Sequence, residues 1–513
     1  MKIIRQFISL AIGSLPLLQS TPLIAQDGIL DNAFGTNGFV TSSLPSLHVH
    51  ANKIAVQADG KILVCGYAED QINFNPDILL FRYNSDGTLD NTFADNGAIH
   101  SDRGGWETVH AIMVQDDGKI VLAGAFSAPY EPADLALFRY NSTGSIDSTF
   151  GINGIVLANC GSSDYAYSIV KLNDGKFIVT GGNGQTFLAK YTSDGVLDPT
   201  FGTNGVVITD PTVYSESFYS LAIQDDGKIL MAGNINIPDT ANFLIARFLP
   251  DGSVDHTFTS DGLIIFNSLY GNDYSKSISV LSDGKILLVG GCTDSGVTQL
   301  MRFNSDGTLD HTYGINGIVY TTLISSYYQI DACLQSNDKL VIAGTVYDFQ
   351  GYDDFGLVRF NADGSIDQTF GTNGIQTTSV NEFDSPKAIV LQPDGKILVT
   401  GETTNASSGY MDVVVLRYTN SSIAGIVENN YSLSEVIVYP NPAVSSTTLD
   451  FATPLNNADC LLYNTNGKLV QELNHLTGSS ITLKGDQLPK GVYFAQIMKD
   501  NLLIAEVQKI IFK

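Results

Sequence analysis

The sequence predicts an all-β chain, a seven-bladed β-propeller followed by a small C-terminal β-sandwich. Three observations carry this expectation. The phrase DG-x-[ILV]-D-x-x-[FY]-x-x-x-G recurs in seven copies between residues 27 and 374, one of them with Thr143 for the leading Asp, a second phrase of the form Q-x-D-G-K-I-L-V-x-G alternates with it, and the apolar runs between the two are short and bounded by turn residues. Self-similarity at a fixed period marks a repeat architecture, in which each unit buries its apolar faces against its neighbours.

The first phrase, the connector, sets its second acid at Asp31, Asp90, Asp147, Asp198, Asp255, Asp310 and Asp367, spaced by 59, 57, 51, 57, 55 and 57 residues. The second phrase closes on Gly66, Gly124, Gly181, Gly233, Gly290, Gly344 and Gly401. A third mark is an apolar run ending in a cation: Arg82, Arg139, Lys190, Arg247, Arg302, Arg359 or Arg417. The first six of these stand eight residues ahead of a connector acid. We expect a structural ion pair there, fixing the connector to the strand before it.

One unit reads as four short strands and no helix. The first follows the connector's last glycine (Gly154-Ile155-Val156), the second runs to the Q-x-D-G turn (Ile54-Ala55-Val56), the third is the Lys-Ile-Leu-Val run, and the fourth precedes the cation. Asp-Gly is hairpin chemistry, because glycine accepts positive φ without a Cβ clash. Unit six has Asn337-Asp338 instead, and Asp enters the left-handed region at some cost. A meander of such strands fits propeller blades. It puts the D-G-K turns and the connectors, taken as the links between blades, on one face and the variable loops on the other. Six links suffice for seven blades, so the extra connector copy, Asp27–Gly38, is expected to seat between the last blade and the first. A β-solenoid is the alternative, but its coils of about 20–30 residues are shorter.

The paired phrases resemble the delta-60 repeat family of bacterial proteins across nearly all of residues 27–420. The resemblance implies a β-propeller and no shared chemistry.

Residues 1–25 read as a secretory signal peptide: Lys2 and Arg5 precede an apolar stretch, Phe7 to Leu18, and the segment ends at Ala25. Residues 26–420 form the propeller, 421–435 a polar linker, and 436–513 a tail of short alternating strands. In the tail, Tyr439-Pro440-Asn441-Pro442, Gly467-Lys468, Gly491-Val492-Tyr493 and Lys509-Ile510 resemble the type A C-terminal sorting domain of the type IX secretion system. That resemblance implies engagement of the secretion machinery, passage across the outer membrane, removal of the tail, and a surface-held or released product.

Charge narrows the partners. The formal charge is −26, with 53 acids against 27 Lys plus Arg, and no basic run to neutralise phosphates, so nucleic acid is not expected as a partner. No apolar run after the leader is long enough to span a bilayer. From Val436 onward six acids balance six lysines, so the acidity belongs to the propeller. Cys65, Cys160, Cys292, Cys333 and Cys460 are too widely spaced for a zinc cluster or a CxxC pair. Cys65 and Cys333 fall in slots that other units fill with small apolar residues.

Chemistry is expected on the variable loops. Trp106, Tyr165, Tyr214, Phe218, Tyr274 and Tyr327 lie there beside carboxylates, a composition suited to stacking a sugar ring and accepting its hydroxyl bonds. The seven histidines are scattered, His48 and His50 reading as a solvated loop, and no serine-hydrolase, zinc-protease, P-loop or dinucleotide motif occurs. Calcium, if bound, is expected at the oxygen-rich connectors, although these lack the spacing of an EF-hand. Two functions follow: a non-catalytic propeller binding glycan or protein, and a polysaccharide-active enzyme using loop carboxylates.

Overall fold

The computed structural model describes residues 26–72, 75–159, 164–182, 186–209, 216–237, 240–268, 271–325, 329–347, 353–405, 407–420, 436–464, 469–486, 488–499, 502–503 and 508–513. The expected leader, the linker, Cys160, Tyr214, Tyr327 and the Gly467-Lys468 pair lie outside them. Among the described residues every regular element is a strand, and no helix is long and apolar enough to cross a membrane. The chain divides into two compact units, residues 1–420 and 421–513.

The first unit is a ring of seven four-stranded antiparallel sheets. Blade 1 runs outward from the ring's centre through His48–Val56, Ile62–Glu69, Asp77–Tyr83 and Ala98–Ser101. Blade 2 repeats this with Trp106–Val114, Ile120–Ser127, Asp134–Tyr140 and Ile155–Ala158, and blades 3 to 6 follow with the inner strands Ala166–Lys171, Glu216–Ile223, Asp273–Val280 and Asp331–Leu334. Blade 7 consists of Asp384–Leu391, Ile397–Thr404, Met411–Tyr418 and, outermost, Phe39–Ser42 from the start of the ring. The first strand of the sequence unit is therefore the outer strand of the preceding blade. This corrects one expectation: the connector is not the link between blades but joins the third and outer strands of one blade. The variable loops make the crossing, from the outer strand of one blade to the inner strand of the next. Strands that pair across a connector and strands that merely follow one another look alike in a linear pattern, which is why the unit and the blade differ by one strand.

The extra connector takes the seat expected for it. Phe39–Ser42 pairs with Leu416 back to Val413, and Leu30 bridges Tyr418. Gly371 N donates to Asp27 O (2.8 Å) and Gly35 N to Asp86 O (2.7 Å), so the same inter-blade bond that joins Ala94 to Thr143 carries across the closure.

The core is seven apolar layers, one between each pair of neighbouring blades. Between blades 1 and 2, for example, Leu63, Cys65, Leu80, Phe93, Val109, Leu122 and Phe138 are buried together. Cys65 and Cys460 are buried free thiols, Cys333 is a half-buried one, and Cys292 is buried as well.

The repeated charges form one unit per blade. Arg82 Nε donates to Asp90 Oδ2 at 2.8 Å, its guanidinium carbon lies 4.1 Å from the Phe93 ring centroid, and its Nη1 reaches Ser142 O in the next blade. Lys61 of the D-G-K turn donates to the same Asp90 oxygen at 2.7 Å. The pattern returns at Arg139–Asp147, Arg247–Asp255, Arg302–Asp310 and Arg359–Asp367, at 2.7–2.8 Å. Across the closure, Arg417 and Lys396 take Asp31 at 2.8 and 3.2 Å. In blade 3, Lys190 stands 4.0 Å from Asp198, and Lys176 supplies the shorter contact, 2.7 Å.

The D-G-K turns take their expected form. Gly60 adopts φ 81° and, in blade 6, Asp338 adopts φ 59° with the same turn bond, 338 N to Gln335 O. The closing glycine of the second phrase has a different cause. In six blades the inner strand bulges opposite it, at Asn52, His110, Tyr167, Tyr219, Lys276 and Lys387. The bulge presses a backbone carbonyl toward the glycine: a Cβ on Gly124 would lie 1.8 Å from Thr108 O. Blade 6 pairs without a bulge, and there Gly344 faces the side chains of Ile324 and Ile330.

In the tail unit, Val436–Tyr439, Ser446–Asn464, Leu469–Lys484, Gly491–Lys499, Leu502–Leu503 and Gln508–Phe512 form one hydrogen-bonded sheet. The two longest strands change register four times against each other. Leu449, Leu462, Tyr493, Ile497 and Ile510 are buried in its core. Asn441 ties the sorting motif to the last strand, donating to Lys509 O (2.7 Å) and accepting from Ile511 N (2.9 Å). Tyr439 donates to Asp450 at 2.8 Å, Pro440 O accepts Thr447 Oγ1 at 2.9 Å, and Pro442 follows the asparagine.

Candidate functional site

The bulges aim side chains inward. Asn52, His110, Tyr167, Tyr219, Lys276 and Lys387, with Lys53, Gln329 and Asp331, line a cavity of about 250 Å³ at the ring's centre. Every blade contributes to it. Lys53 pairs with Asp331 at 2.7 Å, and Lys387 with Glu402 at 3.3 Å. Lys276 lies 5.9 Å from the Tyr219 ring centroid, and burial pulls its ammonium below the usual lysine range. Burial also takes His110 down to about 4, leaving a neutral imidazole at pH 7, and pushes Tyr167 up to about 12. His110 Nε2 is buried without a hydrogen-bond partner. His48 and His50 lie on blade 1's inner strand rather than in a loop, where His50 Nδ1 meets Glu402 at 3.1 Å and its ring stacks on Tyr67 at 4.5 Å.

A second concavity, about 570 Å³, opens where blade 2 meets the entry to blade 3. Trp106, 57% exposed, and Tyr165 line it, together with Tyr130, which is fully exposed, and Glu131. The segment carrying Tyr130 is folded by Glu131 N to Ala128 O (3.0 Å) and Ser127 Oγ to Glu131 O (2.6 Å). From Tyr165 a run of rings leads to the central cavity. Tyr165 stacks near Tyr167 at 6.2 Å and 11°, His110 lies 5.3 Å from Tyr167, and Tyr167 lies 5.3 Å from Tyr219.

Of the loop aromatics singled out in the sequence, Trp106 and Tyr165 thus meet in one cleft. Tyr274 is half-buried on blade 5's inner strand. Phe218 must be removed from the set: it is fully buried in the core of blades 3 and 4, because its position beside the bulge points into the layer rather than the loop. Tyr130 was not found in the sequence, since its segment has no counterpart in the other units; exposure is its signal.

The connectors are not open to calcium. Asp90 already accepts from Arg82, Lys61, Thr92 N (3.1 Å) and Thr92 Oγ1 (2.6 Å). These bonds, against the cost of burial, hold its carboxyl well below the usual range.

Seven segments, residues 57–93, 115–150, 174–201, 224–258, 281–313, 335–370 and 392–422, match the family described as a domain of unknown function (DUF5122), β-propeller. Residues 437–513 match the secretion system C-terminal sorting domain. The chain is a DUF5122 β-propeller with a type IX sorting tail. Its tail marks this DUF5122 protein for export by the type IX system to the cell surface or the extracellular space. No curated protein matches it in sequence. Solved structures similar to it include the polysaccharide lyase Uly1 (12% identity, 77% of this chain and 96% of that one, TM-score 0.41). Others are a glucose dehydrogenase (11%, 74% and 99%, 0.36) and a protein of unknown function from Bacteroides caccae (14%, 62% and 98%, 0.32). At these scores they bear on neither ligand nor reaction.

Proposed function

We propose that the exported propeller is a non-catalytic glycan-binding scaffold, taking an extended saccharide in the cleft of Trp106, Tyr130 and Tyr165 and along the ring path toward the central cavity. The carrying observation is that cleft: three aromatic faces, two of them largely exposed, beside Glu131 and Ser127 as hydrogen-bonding groups. Aromatic faces stack on the apolar faces of sugar rings, and a few polar groups then fix orientation. Hydrolysis by two carboxylates requires a pair about 5–9.5 Å apart. Among the described residues the cleft is lined by one carboxylate, Glu131, and the central cavity by one, Asp331, which is paired with Lys53.

The reading is tested with the whole chain on a glycan array, followed by titration of the retained glycan against the fluorescence of Trp106, the single tryptophan. Saturable quenching is expected, with Trp106→Ala or Tyr165→Ala weakening retention at least tenfold and leaving the melting midpoint within about 2 °C. Release of shortened or unsaturated products would replace the scaffold with the polysaccharide-active enzyme.

A further inference from the structure

Blades 1 and 2 meet at three carboxylates. Asp77 heads blade 1's third strand, Asp102 lies in the loop that crosses to blade 2, and Glu107 is the second residue of blade 2's inner strand. One oxygen from each lies within 4.8 Å of the others. One oxygen of each is held by a neighbour: Asp77 Oδ2 meets His100 Nε2 at 3.1 Å, Asp102 Oδ1 accepts Gly104 N at 2.6 Å, and Glu107 Oε2 accepts Arg103 N at 3.2 Å. Asp77 Oδ1 and Glu107 Oε1 are buried and have no hydrogen-bond donor among the described residues, and the Glu107 residue is 0% exposed. Among the described residues the ion pair to His100 is the one this group makes. Arg103, nearest in sequence, lies instead with its guanidinium 6.0 Å from the Phe138 ring centroid.

Other blades supply an internal control. Glu107 stands two residues before Val109, the partner of the closing Gly124; Asp273 stands two before Ser275, partner of Gly290, and Asp384 two before Pro386, partner of Gly401. Each of those acids is consumed by its own surroundings. Asp273 accepts Ser268 N, Ser268 Oγ and Gln299 Nε2. Asp384 accepts Val380 N, Asn381 N and Thr403 Oγ1. Blade 2 has the same buried acid without that set of donors, and adds two further carboxylates facing it. A buried unpaired carboxylate is costly unless a positive charge meets it.

We infer that Asp77, Asp102 and Glu107 bind one divalent cation of the calcium type where blades 1 and 2 meet. The donors are all oxygen, the preference of a hard cation, and calcium–oxygen distances of about 2.3–2.6 Å allow ligand oxygens up to about 5 Å apart on one ion. Magnesium, at about 2.0–2.1 Å, requires a tighter cluster, and zinc favours nitrogen and sulfur. The export address makes extracellular calcium available, and affinity is expected in the range of extracellular modules, about 10⁻⁴–10⁻³ M. The ion would pin the loop that delivers Trp106. The site is distinct from the glycan cleft and stands or falls without it.

Position makes the test direct. Trp106 adjoins Glu107 and is the only tryptophan, so terbium held by these carboxylates is sensitised by indole excitation, while terbium at distant acids is not. With the full chain we expect sensitised emission, competed away by calcium, and a melting midpoint raised by millimolar calcium relative to EGTA. Glu107→Gln should abolish the emission. Because that residue is buried, Asp102→Asn, at an exposed position, is the paired variant and should weaken terbium binding at least tenfold and remove the calcium-dependent shift. Absence of sensitised emission, emission unchanged in Asp102→Asn, or a wild-type midpoint equal in calcium and EGTA would each overturn the inference.

Discussion

The two faces of the propeller use carboxylates in opposite ways. On the connector face each blade repeats one solution: an acid fixed by a guanidinium or ammonium group from the third strand, a turn lysine and the connector's own donors. On the loop face, acids at the entry to the inner strands of blades 2, 5 and 7 are buried and met by a different set of donors in each. Repetition on the first face closes a ring; variation on the second leaves room for ligands. The difference teaches where to look for function in a repeat protein: not at the residues that recur but at the slots whose environment does not.

The largest expected effect comes from removing a recurring residue. Arg359 is 1% exposed and holds Asp367 at 2.7 Å, Asp27 at 2.8 Å and Asn420 at 2.8 Å. Arg359→Ala takes a buried cation away from two acids at the ring closure and should cost about 3–5 kcal/mol by urea denaturation. On the loop face Tyr130→Ala should change stability by less than about 0.5 kcal/mol. Equal losses from both variants would erase the distinction between the faces.

A smaller effect separates blades within one face. Gly124→Ala drives a Cβ onto the Thr108 carbonyl at 1.8 Å, whereas Gly344→Ala meets side-chain methyls of Ile324 and Ile330 at 2.3 and 2.8 Å. Side chains yield where backbone does not, so Gly344→Ala should cost about 1–3 kcal/mol, the range of ordinary overpacking, and Gly124→Ala more. The reverse ranking in thermal melts would show that the bulge is not what selects glycine.

The smallest effect is in pH, where the two faces have opposite signs. Hydrogen bonds from Lys176 and Thr200 hold Asp198 at about 2, and Asp255 is held at about 2, where bonds from Thr257 and Arg247 outweigh burial. Such lowered groups add stability that is present above the unfolded value near 4 and lost as pH falls through about 2. Burial, reinforced by Asp354, raises Asp384 to about 6. Its contribution is present below about 4 and lost as pH rises through 6. The melting midpoint should therefore rise from pH 7 to about 4.5 and fall below 4. Asp384→Asn should flatten the rise and leave the fall; a midpoint that declines steadily from pH 7 would contradict both assignments.

Most of the architecture could be read from the chain because its determinants are local and repeated. Arg82 and Asp90 are eight residues apart, and that spacing recurs, so the pair is visible without coordinates. Lys61 joins the same acid from 29 residues away, and its repetition in every D-G-K turn is a signal that became meaningful only once the third strand was known to lie beside the second. The one-strand offset between unit and blade was hidden because pairing across a connector leaves no mark in sequence. Phe218 is misplaced by the linear pattern because it reads as part of a variable loop, whereas the inner strand already begins at Glu216. Asp77 and Glu107 are 30 residues apart in segments of unequal length between blades, so no period brings them together; the ring does.

The closure has a mechanical consequence. The strand from which the ring hands over to its linker, Met411–Tyr418, is not an edge strand: it pairs with Ile397–Thr404 on one side and with Phe39–Ser42 on the other. Thr419 N adds a bond to Ile29 O, and Gly28 N one to Thr419 O. Tension arriving through residue 420 is therefore loaded along two antiparallel ladders in shear, instead of peeling one outer strand a bond at a time. A ring closed by its own first strand is built to be pulled from its last.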